Sequence, residues 1–204
     1  MTERESLAVI TEMISRTKDR YMGDGNIMLL WGYLTVAVTV LVWVLLATTG
    51  NPVWNLCWFL IPLVGGVASP IMSRKREVKS GVKSYTDKLT SKIWTTVGVT
   101  SAVAMLCCLG FALFKGVNCW IVMFLFPITI VPVVEMAQGF IVKENSFVIG
   151  GAIGLAIGIF MTCCVAAGEV PLHYMWALPL FIVAFICMMI VPGHIINRKA
   201  KQQR

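Results

Sequence analysis

Six runs of about twenty apolar residues, separated by short polar breaks, leave few folds open to this chain. They are Ile27 to Thr49, Val53 to Met72, Ile93 to Phe114, Cys119 to Ile141, Phe147 to Ala167 and Tyr174 to Ile196. Each is long enough to cross roughly 30 Å of hydrocarbon at a rise of about 1.5 Å per residue. Transmembrane β-strands are excluded, because they alternate apolar and polar side chains over about ten residues and these runs do not. A water-soluble core is excluded too: of 204 residues 58% are hydrophobic and 13% charged, where soluble domains carry about a quarter charged. The expected fold is an all-α polytopic membrane protein. Residues 1–26 form a cytoplasmic amphipathic helix and linker, 27–196 a six-helix transmembrane domain, and 197–204 a basic tail. The first run follows 26 residues with five acidic side chains and is too long for a signal-peptide core, so it is expected to be retained.

Threading follows from the basic residues, which resist translocation. Sixteen of the seventeen Lys and Arg residues fall in the N-terminal segment, the loop 73–92, Lys143 and the tail; Lys115 alone lies opposite. Both termini are therefore expected in the cytoplasm. The net charge of +7 is accounted for by this threading and by attraction to anionic lipid head groups, so no nucleic-acid partner is expected. The breaks on the other side are short, "GNP", "KGV" and "GEVPLH", which arranges the six spans as three hairpins.

Outside the spans, Thr2 and Glu5 have capping-box spacing, and Leu7, Ile10, Ile14 and Tyr21 share one face of a helix that Gly23 and Gly25 end. Such a helix lies on the membrane surface or packs on the bundle, and its spacing also suits a homodimer or cytoplasmic partner contact. The loop "SRKREVKSGVKSYTDKLTSK" is expected to hold a short helix near Val78 to Leu89. Its Arg74, Lys75, Arg76 and Lys79 are candidates for lipid head-group or partner contact.

The strings "MISRTKDR", "GNIMLLWGYLT" and "WNLCWFLIPLVGG", followed by the basic loop, resemble an uncharacterised family of six-span bacterial inner-membrane proteins with a short amphipathic N-terminal helix. The resemblance covers most of the chain. It implies a bacterial cytoplasmic-membrane address and a genetic neighbourhood with small winged-helix regulators. It carries over no active residue, because its motifs concern fold and threading.

Within the spans the one acidic residue is Glu135, in "FLFPITIVPVVEMAQGF". A carboxylate at a helix centre in lipid costs about 2.5 to 3.5 kcal/mol on insertion scales, so such groups face a protein interior, reach an interface, or carry function. Gln138 follows on the same helix face and Pro132 precedes by three residues, where its missing N–H can open a polar notch. Glu135 with Gln138 is the candidate ion or proton site, set against a structural carboxylate bonded to a neighbouring helix or to interfacial Lys and water. Thr35 with Thr39, or Thr96 with Thr100, stand one turn apart and are the pairs available to face it. Gly150, Gly154 and Gly158 form a double GxxxG stripe for close helix packing.

The seven cysteines show no metal-ligand spacing and are expected as small packing residues, with Cys57 and Cys119 placed near the outer face where a bridge can form. His173 and His194 lie at opposite faces and cannot share a metal. No cofactor or metal site is expected. With no nucleophile elbow, phosphate loop or zinc-protease helix, a non-enzymatic role is expected: a regulatory, scaffold or stress-related component acting through the cytoplasmic face, or alternatively a small transporter or channel for a cation or proton using Glu135.

Overall fold

The computed structural model describes residue 7 and residues 25–80, 85–168 and 174–202. The expected amphipathic helix, apart from helical Leu7, and His173 with most of its loop lie outside the described residues. Among the described residues from 25 onward, seven α-helices follow one another: α1 (Asn26–Thr49), a 3-10 helix (Pro52–Phe59), α2 (Leu60–Ser80), α3 (Tyr85–Lys115), α4 (Ile121–Val142), α5 (Asn145–Ala167), α6 (Tyr174–Phe185), a π-helical segment (Ile186–Ile190) and α7 (Val191–Gln202). No strand occurs among the described residues. α6, the π segment and α7 run on as one rod, and among the described residues six helical stretches are long and apolar enough to cross a membrane. This is a multi-pass membrane architecture.

The ends of the bundle are set by local chemistry. At one end α1, α3 and α5 stop at Gly50, Gly116 and Gly168, all with positive φ, the conformation that glycine adopts without a Cβ penalty. At the other, basic end, α4 stops at Lys143 (φ 56°), whose N–H and that of Glu144 both return to the carbonyl of Gly139. The basic loop holds no separate helix among the described residues. Instead α2 runs on to Ser80 and α3 begins at Tyr85, since Lys- and Glu-bearing turns are good helix formers once their charges reach water.

α1, α4, α5 and the last rod form the inner bundle. The buried stripe of α1 is Gly32, Thr35, Val38, Thr39 and Val42, and that of α5 runs from Phe147 through four glycines to Met161. Both are helical faces of small or polar residues rather than the most apolar ones, as expected where lipid is as oily as leucine. The core cluster joins Ile128, Val131, Met161, Phe181, Phe185 and Met188. α2 packs on α1, and α3 on α4; the most extensive contact is α4 on α5, across the tight turn at the basic end. Among the described residues, Gly65 is the one buried position of α2 and Cys108 that of α3. Their large apolar side chains, such as Leu63, Val67, Val103 and Leu106, are exposed, the surface a bilayer would cover.

The two outer helices are each fastened by an indole. Trp31 on α1 donates to Ser69 Oγ on α2 at 2.8 Å, and Trp94 on α3 donates to Gln138 Oε1 on α4 at 2.7 Å. Gly65 makes the first possible, for a Cβ there would stand 2.6 Å from the Trp31 ring.

Candidate functional site

The site is built from two helices whose hydrogen-bond ladders are interrupted by proline. Pro127 and Pro132 lie inside α4, and because proline has no N–H, Pro132 deprives the Ile128 carbonyl of its helical donor. In the last rod the Val191 N–H bonds five residues back, to Ile186. In that register the donor for the Cys187 carbonyl is residue 192, a proline, which has none. π-helical turns of this kind recur at functional sites.

Both carbonyls come to rest on glycines of α5. A Cβ at Gly158 would collide with the Ile128 oxygen, and one at Gly150 would stand 2.6 Å from the Cys187 oxygen. Between them a Cβ at Gly154 would lie 3.2 Å from the Pro132 ring and 2.9 Å from the Met188 sulfur. Gly150, Gly154 and Gly158 thus serve two neighbours at once, offering Cα–H groups to carbonyls that prolines have left without helical donors. The sequence shows the stripe but not which carbonyls it covers.

Glu135 sits one turn from Pro132 toward the basic end, seven residues or roughly 10 Å of helix before Val142. It shares a helical stripe with Phe124 and Val131, which lie eleven and four residues earlier. Val131 belongs to the core cluster, and Phe124 stacks on Phe181 with centroids 4.7 Å apart while meeting Trp58 edge-on at 6.0 Å. The carboxyl group therefore turns inward. Its residue is 0% exposed, and neither oxygen has a hydrogen-bond partner. Among the described residues neither a neighbouring helix nor an interfacial Lys bonds to it.

The other sequence candidates fall differently. Gln138 is half-buried and its carbonyl is engaged by Trp94, so it fastens α3 rather than holding Glu135. Thr35 and Thr39 are buried in the inner bundle, with the Thr39 hydroxyl donating to the Thr35 carbonyl at 2.7 Å. Thr96 and Thr100 are exposed and bond within their own helix, to the Lys92 and Thr96 carbonyls. Arg74 and Lys75 are exposed; the side chains of Arg76 and Lys79 lie outside the described residues. All seven cysteines are free, Cys57 and Cys119 included. Among the described residues no three His, Cys, Asp or Glu side chains converge as a metal site.

A polar cluster at the basic end has no signal in the sequence. Lys199 of α7 reaches both oxygens of Glu144 in the α4–α5 turn, at 2.7 and 2.9 Å, and Ser146 Oγ donates to the same carboxylate at 3.1 Å. Burial pushes the Glu144 carboxyl up, but the hydrogen bonds from Lys199 and Ser146 and the lysine charge outweigh it, leaving the group below the ordinary glutamate value. Asn197 accepts from the Gly25 N–H at 2.7 Å and donates to Asn26 Oδ1 at 2.8 Å, while Tyr33 Oη and His194 Nε2 are 2.7 Å apart. α7 is thereby tied to both the start of α1 and the start of α5.

No protein-family model matches the chain, and no curated protein or solved structure matches it either. Its chemistry is therefore read from this geometry. The notable feature is an ionisable group enclosed by the bundle with its hydrogen-bonding capacity unused, beside two helices whose prolines interrupt the ladder.

Proposed function

We propose that this is a non-enzymatic, multi-pass protein of the bacterial cytoplasmic membrane, both termini in the cytoplasm, that passes a proton or cation through its bundle by way of Glu135. The observation that carries the reading is the enclosed carboxyl group with both oxygens unpartnered. A leucine or methionine would fill the same space without the several kcal/mol that a buried, unpaired ion costs. Intramembrane carboxyl groups that face a bundle interior typically mark ion or proton pathways. Prolines that remove ladder hydrogen bonds, at Pro132 and at Pro192 beside the π segment, are tolerated within membrane helices where neighbouring helices cover the freed groups. The bacterial address rests on the family resemblance carried by the N-terminal segment, the first two spans and the basic loop, and the orientation on the distribution of Lys and Arg.

The test is ion flux into proteoliposomes under an imposed proton or alkali-cation gradient. Glu135→Gln keeps the shape and removes the ionisable group, so it should abolish the flux while the protein stays monodisperse in detergent. Flux equal to wild type would remove Glu135 from the mechanism.

A second reading, a regulatory, scaffold or stress-related component, is favoured by the exposed Arg74 and Lys75 on the continuation of α2. In that case neutralising Arg74, Lys75 and Arg76 should lose a co-purifying cytoplasmic protein. Identical pull-downs with and without the change would count against it.

A further inference from the structure

We infer that the species exchanged at Glu135 is a proton and not a metal cation. The inference rests on the proposed role of Glu135 and narrows it to one cargo.

A bound alkali or alkaline-earth ion needs several oxygen ligands converging on one point, supplied in membrane bundles by carboxylates, hydroxyls and carbonyls freed where helices break. Two of the carbonyls that prolines free beside Glu135 are turned elsewhere. The Ile128 oxygen lies on Gly158, and the Cys187 oxygen on Gly150. The glycine stripe closes over both of these oxygens. Thr39 Oγ1 donates to the Thr35 carbonyl and Gln138 Oε1 accepts from Trp94, so each of these groups is oriented by a partner other than Glu135. Among the described residues the buried polar or charged side chains are Thr35, Thr39, Glu135 and Glu144, and Glu144 is held by Lys199. One carboxyl group alone is a poor cation cage but a sufficient proton carrier.

The surroundings also fix which protonation state suits the enclosed form. On α3, Lys88 and Lys92 are exposed, and buried Cys108 lies at the far end with its thiol on the Cys119 carbonyl. α5 contributes Cys163 and Cys164, neither buried, and the last rod contributes half-buried Cys187 and an exposed His194 bonded to Tyr33 of α1. No cation among these reaches the Glu135 carboxylate, since neither of its oxygens has a partner. An ionised carboxylate would have neither counter-ion nor donor there, whereas the neutral acid leaves one O–H and one carbonyl unbonded. The enclosed state therefore holds the proton on Glu135, and release requires water or a base to enter.

The experiment uses the full chain in lipid nanodiscs. A hydrophobic carbodiimide reacts with protonated carboxyl groups from the lipid phase, and mass spectrometry locates the adduct; infrared difference spectra follow the carbonyl stretch of the acid. Expected are an adduct on Glu135 whose yield falls as pH is raised, and an acid band that Glu135→Gln removes. Both should be unmoved when choline chloride is replaced by sodium, potassium or magnesium chloride at constant pH and ionic strength. Protection by any of these cations would overturn the proton assignment. So would a carboxylate band at every pH, or an acid band that never titrates. The infrared measurement on the unmodified protein stands whether or not the variant folds. Cation protection together with a flux that depends on Glu135 sinks the proton assignment alone, while flux independent of Glu135 sinks the transport reading itself.

Discussion

Single residues in this bundle act mainly by being small. Gly158 is where the Ile128 carbonyl meets α5, so Gly158→Ala should force α4 and α5 apart. An overpacked core position typically costs about 1–3 kcal/mol, and thermal unfolding in detergent should show a loss of that order. Gly66 has open space around it, and Gly66→Ala should be neutral or raise stability by up to about 1 kcal/mol through helix propensity. Equal effects at the two positions would refute the packing account. The same scale holds Lys143, a non-glycine residue at φ 56°. Such a conformation costs roughly 1–2 kcal/mol outside glycine, so Lys143→Gly should raise the unfolding midpoint, measured in the same assay.

Among the described residues, α7 is the element attached by an ion pair. The Glu144 carboxyl is held below its ordinary value in the folded protein, so the pair contributes its stability in full above the ordinary glutamate value and loses it as pH falls through the lower, folded one. Lys199 is 45% exposed at its side chain, and solvent screening limits the contribution to about 1 kcal/mol or less. Unfolding midpoints measured from neutral pH downward should therefore fall in wild type. In Lys199→Met they should start lower and show less of that decline. Parallel pH profiles for the two proteins would show that Glu144 is not the group responsible. The π segment belongs to this scale as well: Pro192 removes a donor and the ladder resets by one residue, which keeps Met188, Pro192 and Ile196 on the buried side.

For the whole molecule, an inner bundle of four spans carries α2 and α3 as outriders, each fastened by an indole hydrogen bond and by packing along one side. Spin labels at Leu63 and Leu106 should collide freely with oxygen dissolved in lipid, and a label at fully buried Met161 should not. A label at Leu106 shielded from lipid in the native membrane would mean that the exposed face of α3 is covered by protein.

The six apolar runs were enough to determine an all-helical, multi-pass architecture, because hydrocarbon leaves backbone groups no partner except one another and so dictates helix wherever a run is long enough. Pro132, Glu135 and the glycine stripe were also visible as unusual residues. What the chain order could not show was which way they turn. In lipid, inward and outward faces are equally apolar, so periodicity loses the contrast that marks a soluble core. Only the tertiary structure decided that Glu135 faces the core without a partner, that Gln138 serves Trp94, and that Glu144 meets Lys199 across 55 residues. Each of these depends on which helices lie side by side, a choice made by close packing over glycine and by prolines that leave carbonyls to be covered.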